Sequence, residues 1–264
     1  APVTYVHAQG DEQAGKSEGG GIAGLAEREA AGLERSLAYA QRLMKFGVNI
    51  EAIADVATGD KVENIYGHYN SQGRTADTMR NQNRYAVDSD VRRIKAFAEL
   101  GLPIILPRTP SNHGEHRQAV GASPFTSESD NLDLQIAESV QTVLNESAIA
   151  GQLTWHIPHD EYLTPFVLSG VNCGVTHGHK IKGGGTNAVS TWVLKQRDYL
   201  SFHEDFKLRL LLMGHFHHYY AEEISGTTVI MTPSLDGGSP WFKSSSGQKA
   251  TPGLLGMTVG LDTP

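Results

Sequence analysis

A mixed α/β fold, with strands in two sheets packed face to face and helices on the outside, is predicted by three observations. β-Prone apolar runs alternate with helically spaced ones through the first half of the chain. The second half is richer in strands, with one helix among them. Several of these runs end in Gly, Asp, Asn or His, and ligands of open α/β sheets collect outside the carboxyl ends of strands. With 264 residues and 39% apolar content, the expectation is a single domain over residues 1–264.

Taken in order, Val3 to Ala8 is a short β-prone run ending at Gly10-Asp11, followed by the loop Gly19-Gly20-Gly21. Leu33, Leu37, Ala40 and Met44 recur at helical spacing and predict a helix from about 23 to 46. Ile50 to Ala57 is a second strand, ending at Gly59-Asp60. A polar helix is predicted over about 75–100, with Met79, Ile94, Phe97 and Leu100 on its buried side. Pro103 to Leu106 is a third strand that delivers Asn112-His113, and Leu132, Ile136, Val140 and Val143 mark another helix. Further strands are predicted at Leu153 to Ile157, Phe166 to Thr176, Leu208 to Met213, Thr227 to Thr232 and Leu254 to Val259, with a helix near Ala188 to Phe202. The two longest irregular stretches, 107–130 and 233–252, have the length of functional or mobile loops.

Composition narrows the function classes. A formal charge of -7 argues against a chain whose main task is coating nucleic acid, which usually needs a basic stripe. Acidity does not exclude a phosphate substrate, because bound divalent cations reverse the local field. The single Cys173 cannot form an internal disulfide. There is no apolar run of membrane-spanning length and no secretory flank, so a cytoplasmic protein without membrane attachment is expected. Beginning at Ala1 rather than Met, the sequence reads as an excised domain or processed product.

Five patches carry the chemistry: Asp11-Glu12-Gln13, Gly59-Asp60, Asn112-His113, His177 and Gly214-His215-Phe216-His217. Together they offer carboxylates, an amide and imidazoles for two metal ions side by side. Such ions clamp a phosphate and generate a hydroxide nucleophile. Asp60, with two carboxylate oxygens at a strand tip, is suited to bridge them. His215 and His217, at i and i+2, leave an extended segment on the same side and suit neighbouring ions. His218 reads as supporting or solvated. Asn112 is a neutral ligand, and His113 is placed to give a proton to the leaving oxygen. His177 is a better ligand candidate than His179. Gln13 offers only a carbonyl oxygen and tilts its position toward an oxygen-loving ion: Mn2+ first, with Mg2+, Zn2+ or Fe as alternatives.

Smaller expectations concern the substrate. Lys16 beside the Gly-rich loop, His68 and Arg117 are candidate substrate contacts. Arg108 and Lys180 either hold phosphate oxygens or serve surface solubility. Trp241-Phe242 with Lys243 offers either base stacking next to a phosphate contact or a hydrophobic plug.

The ordered set Asp-x-Gln, Gly-Asp, Asn-His, His, Gly-His-x-His, running from Asp11 to His217, resembles the calcineurin-like metallophosphoesterases. That resemblance implies a four-layer α-β-β-α sandwich of two mixed sheets flanked by helices. It further implies one ion on Asp11, Gln13, Asp60 and His217, a second on Asp60, Asn112, His177 and His215, and His113 as the catalytic histidine. Gln13 stands where the family has His, and Ser111 where it has Gly. The stretches Gly10 to Lys16, Ser111 to Glu115, Phe125-Thr126-Ser127 and Leu235 to Ser239 are similar to a phage and actinobacterial branch, which implies phosphoesterase or nuclease activity, and host cytoplasm for a phage-encoded chain.

The expected function is therefore a dinuclear metal-dependent phosphodiesterase, a nuclease acting through metal-activated hydroxide on nucleic acid or nucleotide. A small-molecule phosphoesterase is the alternative. Gln13 is the one feature that a non-catalytic module on the same scaffold would explain.

Overall fold

The computed structural model describes residues 1–65, 75–119, 122–182, 186–238, 244 and 251–261. In chain order its elements are β1 (Val3–Gln9), α1 (Gly21–Lys45), β2 (Ile50–Ala57), α2 (Met79–Ala98), β3 (Ile104–Pro107), α3 (Leu132–Asn145), β4 (Leu153–His156), β5 (Leu163–Leu168), β6 (Val171–Thr176), α4 (Thr186–His203), β7 (Leu210–Met213), β8 (Tyr220–Ile224), β9 (Thr227–Met231) and β10 (Leu255–Val259). None of the described helices is long and apolar enough to cross a membrane.

The strands form two five-stranded sheets, ordered β10-β1-β2-β3-β4 and β5-β6-β7-β9-β8. In the first, β1 to β4 run parallel and β10 returns antiparallel along β1, with Thr4 opposite Val259. In the second, β6, β7 and β9 are parallel and the edge strands β5 and β8 are antiparallel. Period-two alternation sorts the side chains of each strand. In β1, Val6 and Ala8 point into the seam between the sheets, where Phe166, Val175, Leu212 and Ile230 meet them. Tyr5 points the other way and packs with Ile53, Ile104 and Leu106 under α1, α2 and α3, which contribute Ala40, Phe97 and Val140. α4 covers the far face of the second sheet, laying Val189, Val193 and Leu200 on Leu211, Met213 and Val229. The result is four layers, α-β-β-α. Fully burying a side chain such as Phe97 stabilises by about 1.5–3 kcal/mol.

Local chemistry sets the helix ends. Thr78 Oγ1 accepts from the Asn81 backbone N–H at 3.2 Å, and Asn131 Oδ1 from that of Asp133 at 3.1 Å, so α2 and α3 are capped by side chains of the expected type. α1 stops at Gly47, whose φ of 86° is the left-handed value of a helix C-terminus.

The sequence reading differs in three places. The run from Phe166 to Thr176 is two antiparallel strands reversing at Ser169-Gly170, where both φ values are positive (43° and 81°). Strand β8 was not expected, and it reverses into β9 at Ser225-Gly226 in the same way. On α3 it is Leu144 that is fully buried, while Val143 is 49% exposed.

A buried charge cluster lies beneath the first sheet. Arg93 donates to Asp55 at 2.7 and 3.3 Å and to Asp90 at 2.6 Å. Lys61 donates to Asp90 at 2.8 Å and to Glu12 at 2.6 Å. Arg108 donates to the Asp55 carboxylate at 2.9 Å and to the carbonyls of Asp55 and Pro107. This corrects both readings of Arg108, as a phosphate contact and as a surface solubility charge: it is 2% exposed and engaged inside the protein. Burial would raise the Asp90 carboxyl, but Arg93 and Lys61 outweigh it and hold the group at about 2. Asp55 is held lower still, Arg93 and Arg108 overcoming its burial. Three acids meet three cations. The cluster is balanced when all three acids are ionised, and Glu12 is its weakest member, burial raising that carboxyl to about 7 against the pull of Lys61.

Candidate metal centre

Every candidate ligand lies just past the carboxyl end of a parallel strand: Asp11 after β1, Asp60 after β2, Asn112 and His113 after β3, His177 after β6, His215 and His217 after β7. The loops after β1 and β2 continue side by side, with Asp11 N–H donating to Gly59 O at 2.9 Å and Gln13 N–H to Asp60 O at 2.9 Å. Glycine permits the two sheets to close on each other here. A Cβ on Gly59 would lie 2.7 Å from His177 Nδ1, and one on Gly214 would lie 2.5 Å from Thr58 O. Asp11, Gln13, Asp60, His215 and His217 all have positive φ, between 47° and 72°. Non-glycine residues adopt that conformation at a cost of about 1–2 kcal/mol each, and such strain gathers at functional sites.

Oxygen or nitrogen donors of Asp11, Asp60 and His177 all come within 4.8 Å of one another. His177 Nδ1 donates to Thr58 O at 2.8 Å, since a carbonyl can only accept. Its Nε2 therefore faces Asn112 Oδ1 at 2.8 Å and Asp60 Oδ2 at 3.3 Å. Asn112 Oδ1 and the Asp60 carboxylate converge on that nitrogen, and the point calls for positive charge, a proton on Nε2 or a cation in its place. Burial would depress the His177 imidazole, yet the charge and hydrogen bond of Asp60, with Asp11 behind it, raise it to about 9. Burial would raise the Asp60 carboxyl, and His113 and His177 hold it well below the usual carboxylate range instead. A set of carboxylate and amide oxygens with one imidazole suits a divalent cation of intermediate hardness.

Supporting residues fix these groups. Asp133, at the start of α3, accepts the backbone N–H groups of Asp60 at 3.1 Å and Lys61 at 2.9 Å and the hydroxyl of Ser111. Asp60 Oδ1 accepts the His113 backbone N–H at 3.0 Å. His113 Nδ1 donates to Glu63 O at 2.8 Å, and its Nε2 lies 3.8 Å from Asp60 Oδ2 and 3.3 Å from the Gln13 amide nitrogen. His215 packs edge-on against His177 with ring centroids 5.1 Å apart. Burial, then the neighbouring His177, pulls its imidazole down to about 3, so it is neutral and keeps a lone pair. His217 Nε2 lies 3.2 Å from Asp11 Oδ1, and its Nδ1 lies 3.3 Å from Asp236 Oδ2.

The sequence-predicted residues thus split into groups. Asp11, Asp60, Asn112, His113, His177 and His215 gather around one point, with His217 and Gln13 at its flank. Lys16 is buried, paired with Asp236 and bonded to Gln13 Oε1 at 2.8 Å. Arg117 is paired with Glu115 and donates to Ala122 O at 2.6 Å. His68 and Trp241-Phe242 with Lys243 lie outside the described residues. Two features were missed. Asp236, on the loop after β9, contacts both Lys16 and His217; the sequence reading places it only within the stretch Leu235 to Ser239 and gives it no role. Glu115, Glu128 and His179 form a second donor group within 4.8 Å, with Lys180 donating to Glu115 at 2.6 Å.

No family model and no curated protein matches this chain. Solved structures that are similar include Vps29 of Entamoeba histolytica complexed with zinc, at 11% identity, TM-score 0.40, covering 95% of this chain and 83% of that one. Another is an archaeal protein described as a novel phosphodiesterase, at 11% identity, TM-score 0.38, covering 97% and 99%. A third is a predicted phosphoesterase of Streptococcus pneumoniae TIGR4, at 11% identity, TM-score 0.30, covering 89% and 74%.

Proposed function

We propose that this chain is a metal-dependent phosphodiesterase of the calcineurin-like type, cleaving a nucleic-acid or nucleotide phosphodiester to a monoester and an alcohol. The observation that carries the reading is the meeting of Asp11, Asp60 and His177 within 4.8 Å, beside Asn112 and His113. These residues fit a divalent cation, Mn2+ by preference, which when bound supplies Lewis acidity toward the phosphoryl group and a hydroxide nucleophile at neutral pH. The protein's own part is positioning and proton transfer. Asp133 fixes the backbone that carries Asp60, and Asp60 in turn holds the backbone of His113. With Nδ1 committed to Glu63 O, the Nε2 of His113 is the atom that exchanges a proton with the departing alkoxide.

Nucleic acid is the substrate expected from the sequence. One structural observation favours a small diester such as a cyclic nucleotide instead. Lys16, Arg108, Arg117 and Lys180, the described cations expected to hold phosphates, are each paired with a carboxylate.

The test is a substrate panel of bis(p-nitrophenyl) phosphate, p-nitrophenyl phosphate, cyclic nucleotides and single-stranded DNA, each with Mn2+, Mg2+ and Zn2+. Diester cleavage should require the ion and vanish in Asp60→Asn. In His113→Ala it should fall by about 10²–10⁴. Activity equal to wild type in both variants, with folding verified by circular dichroism, removes the proposal. Preference for the monoester removes its diesterase part.

A further inference from the structure

The ligand set expected for one of two ions, Asp11, Gln13, Asp60 and His217, already has a cation built beside it. The Lys16 side chain is only 9% exposed. Its ammonium donates to Gln13 Oε1 at 2.8 Å and is paired with Asp236 Oδ2. That bond orients the Gln13 amide, because only the oxygen can accept from an ammonium. The amide nitrogen consequently faces His113 Nε2, 3.3 Å away. Both ends of the Gln13 amide have protein partners, and the oxygen expected to ligate an ion receives the Lys16 ammonium.

Asp236 anchors that ammonium firmly. Its Oδ1 accepts the Gly238 N–H at 2.6 Å, and its own N–H donates to Ser234 Oγ at 2.9 Å. Ser234 in turn donates to Asp11 O at 2.9 Å, joining the loops after β9 and β1. Among the described residues, His177 joins Asp11 and Asp60 in one compact donor group, and His217 does not. A divalent ion on the Gln13 side would sit next to a buried like charge and would have to displace it.

We infer that the centre takes a single divalent ion, on Asp11, Asp60, Asn112 and His177, and that the Lys16 ammonium stands in for the second, linked to His113 through Gln13. This rests on the metal-centre reading above. It goes further by fixing the ion count and giving Gln13 and Lys16 positioning roles.

Titration of chelator-treated protein with Mn2+, followed by calorimetry and electron paramagnetic resonance, tests it. Wild type should bind one Mn2+ per chain, with the spectrum of an isolated ion, into the millimolar range. A Gln13→His, Lys16→Met double variant should bind two, with a spin-coupled spectrum. Two coupled ions in wild type overturn the inference while leaving the metal centre standing. No bound ion in wild type overturns both readings. A folded double variant that still takes one ion at unchanged affinity removes the role given to Lys16. Should the double variant not fold, the wild-type stoichiometry and spectrum decide alone.

Discussion

Replacing Gly59 with Ala isolates the contribution of backbone closeness to the centre, because the chain supplies its own control. Gly47 has a φ of 86° and Gly59 one of 97°, so an added Cβ meets a similar backbone penalty at either position, about 1–2 kcal/mol. At Gly47 that Cβ meets nothing within 4 Å. At Gly59 it would lie 2.7 Å from His177 Nδ1 and 2.9 Å from Ser111 Cβ, inside normal contact distance. The imidazole must retreat by several tenths of an ångström or more, stretching its 2.8 Å bond to Thr58 O. A weakened buried hydrogen bond adds about 1–3 kcal/mol, for a total of about 2–5 kcal/mol. At about 2–4 °C per kcal/mol, Gly47→Ala should lower Tm by about 2–8 °C, and Gly59→Ala by about 4–20 °C, consistently more than the control. Displacement of His177 should also weaken Mn2+ binding by about 10–100-fold in Gly59→Ala alone. Thermal unfolding and calorimetric titration of both variants provide the measurement. Equal loss of Tm in the two, with unchanged Mn2+ affinity, refutes the argument that glycine closeness builds the centre.

Arg93→Met removes the cation that joins Asp55 and Asp90, and should cost about 3–5 kcal/mol in urea unfolding at neutral pH. Because Asp90 is held at about 2 and Asp55 lower, their contribution is present above the ordinary carboxylate range and is lost as pH falls through those values. The acid-unfolding midpoint of Arg93→Met should therefore rise, and an unchanged midpoint counts against the cluster's role. His7 is buried, and mainly that burial lowers its imidazole to about 4, so it is neutral in the folded chain. Its contribution is intact above the unfolded value of 6.5 and falls by about 3 kcal/mol as pH drops from there to about 4. His7→Gln should flatten the stability profile across that window, as followed by urea unfolding at stepped pH. Asp133→Ala frees the backbone amides of Asp60 and Lys61 and should weaken Mn2+ binding by about 10–100-fold. Wild-type affinity in that variant shows that Asp60 is positioned without Asp133.

The pattern of an acid or imidazole just past an apolar run was legible in the sequence, because a strand's carboxyl end is where such groups can converge. That was enough to find Asp60 and His177 and to predict two sheets. Reversals were harder. Ser169-Gly170 sits inside an otherwise continuous β-prone run, and β8, Tyr220 to Ile224, carries two glutamates at half-exposed or exposed positions. The charge cluster was invisible for a different reason. Asp55 reads as one polar residue in an apolar strand, and nothing local to Arg93 or Arg108 says that they face inward toward it. The partnership of Gln13, Lys16 and Asp236 joins residues up to 223 positions apart, a separation at which spacing carries no information.

The antiparallel return of β10 along β1 has a consequence for biosynthesis. Thr4 leaves the ribosome well before its edge partner Val259, which lies 255 residues further along the chain. Until then, the outer rim of β1 offers unpaired amide and carbonyl groups to any neighbouring nascent chain. Closing that rim joins contacts of very high sequence separation, the slow kind. The nascent chain is therefore most prone to aggregation while its first sheet is built but unsealed, and a chain cut before Leu255 should retain that vulnerability permanently.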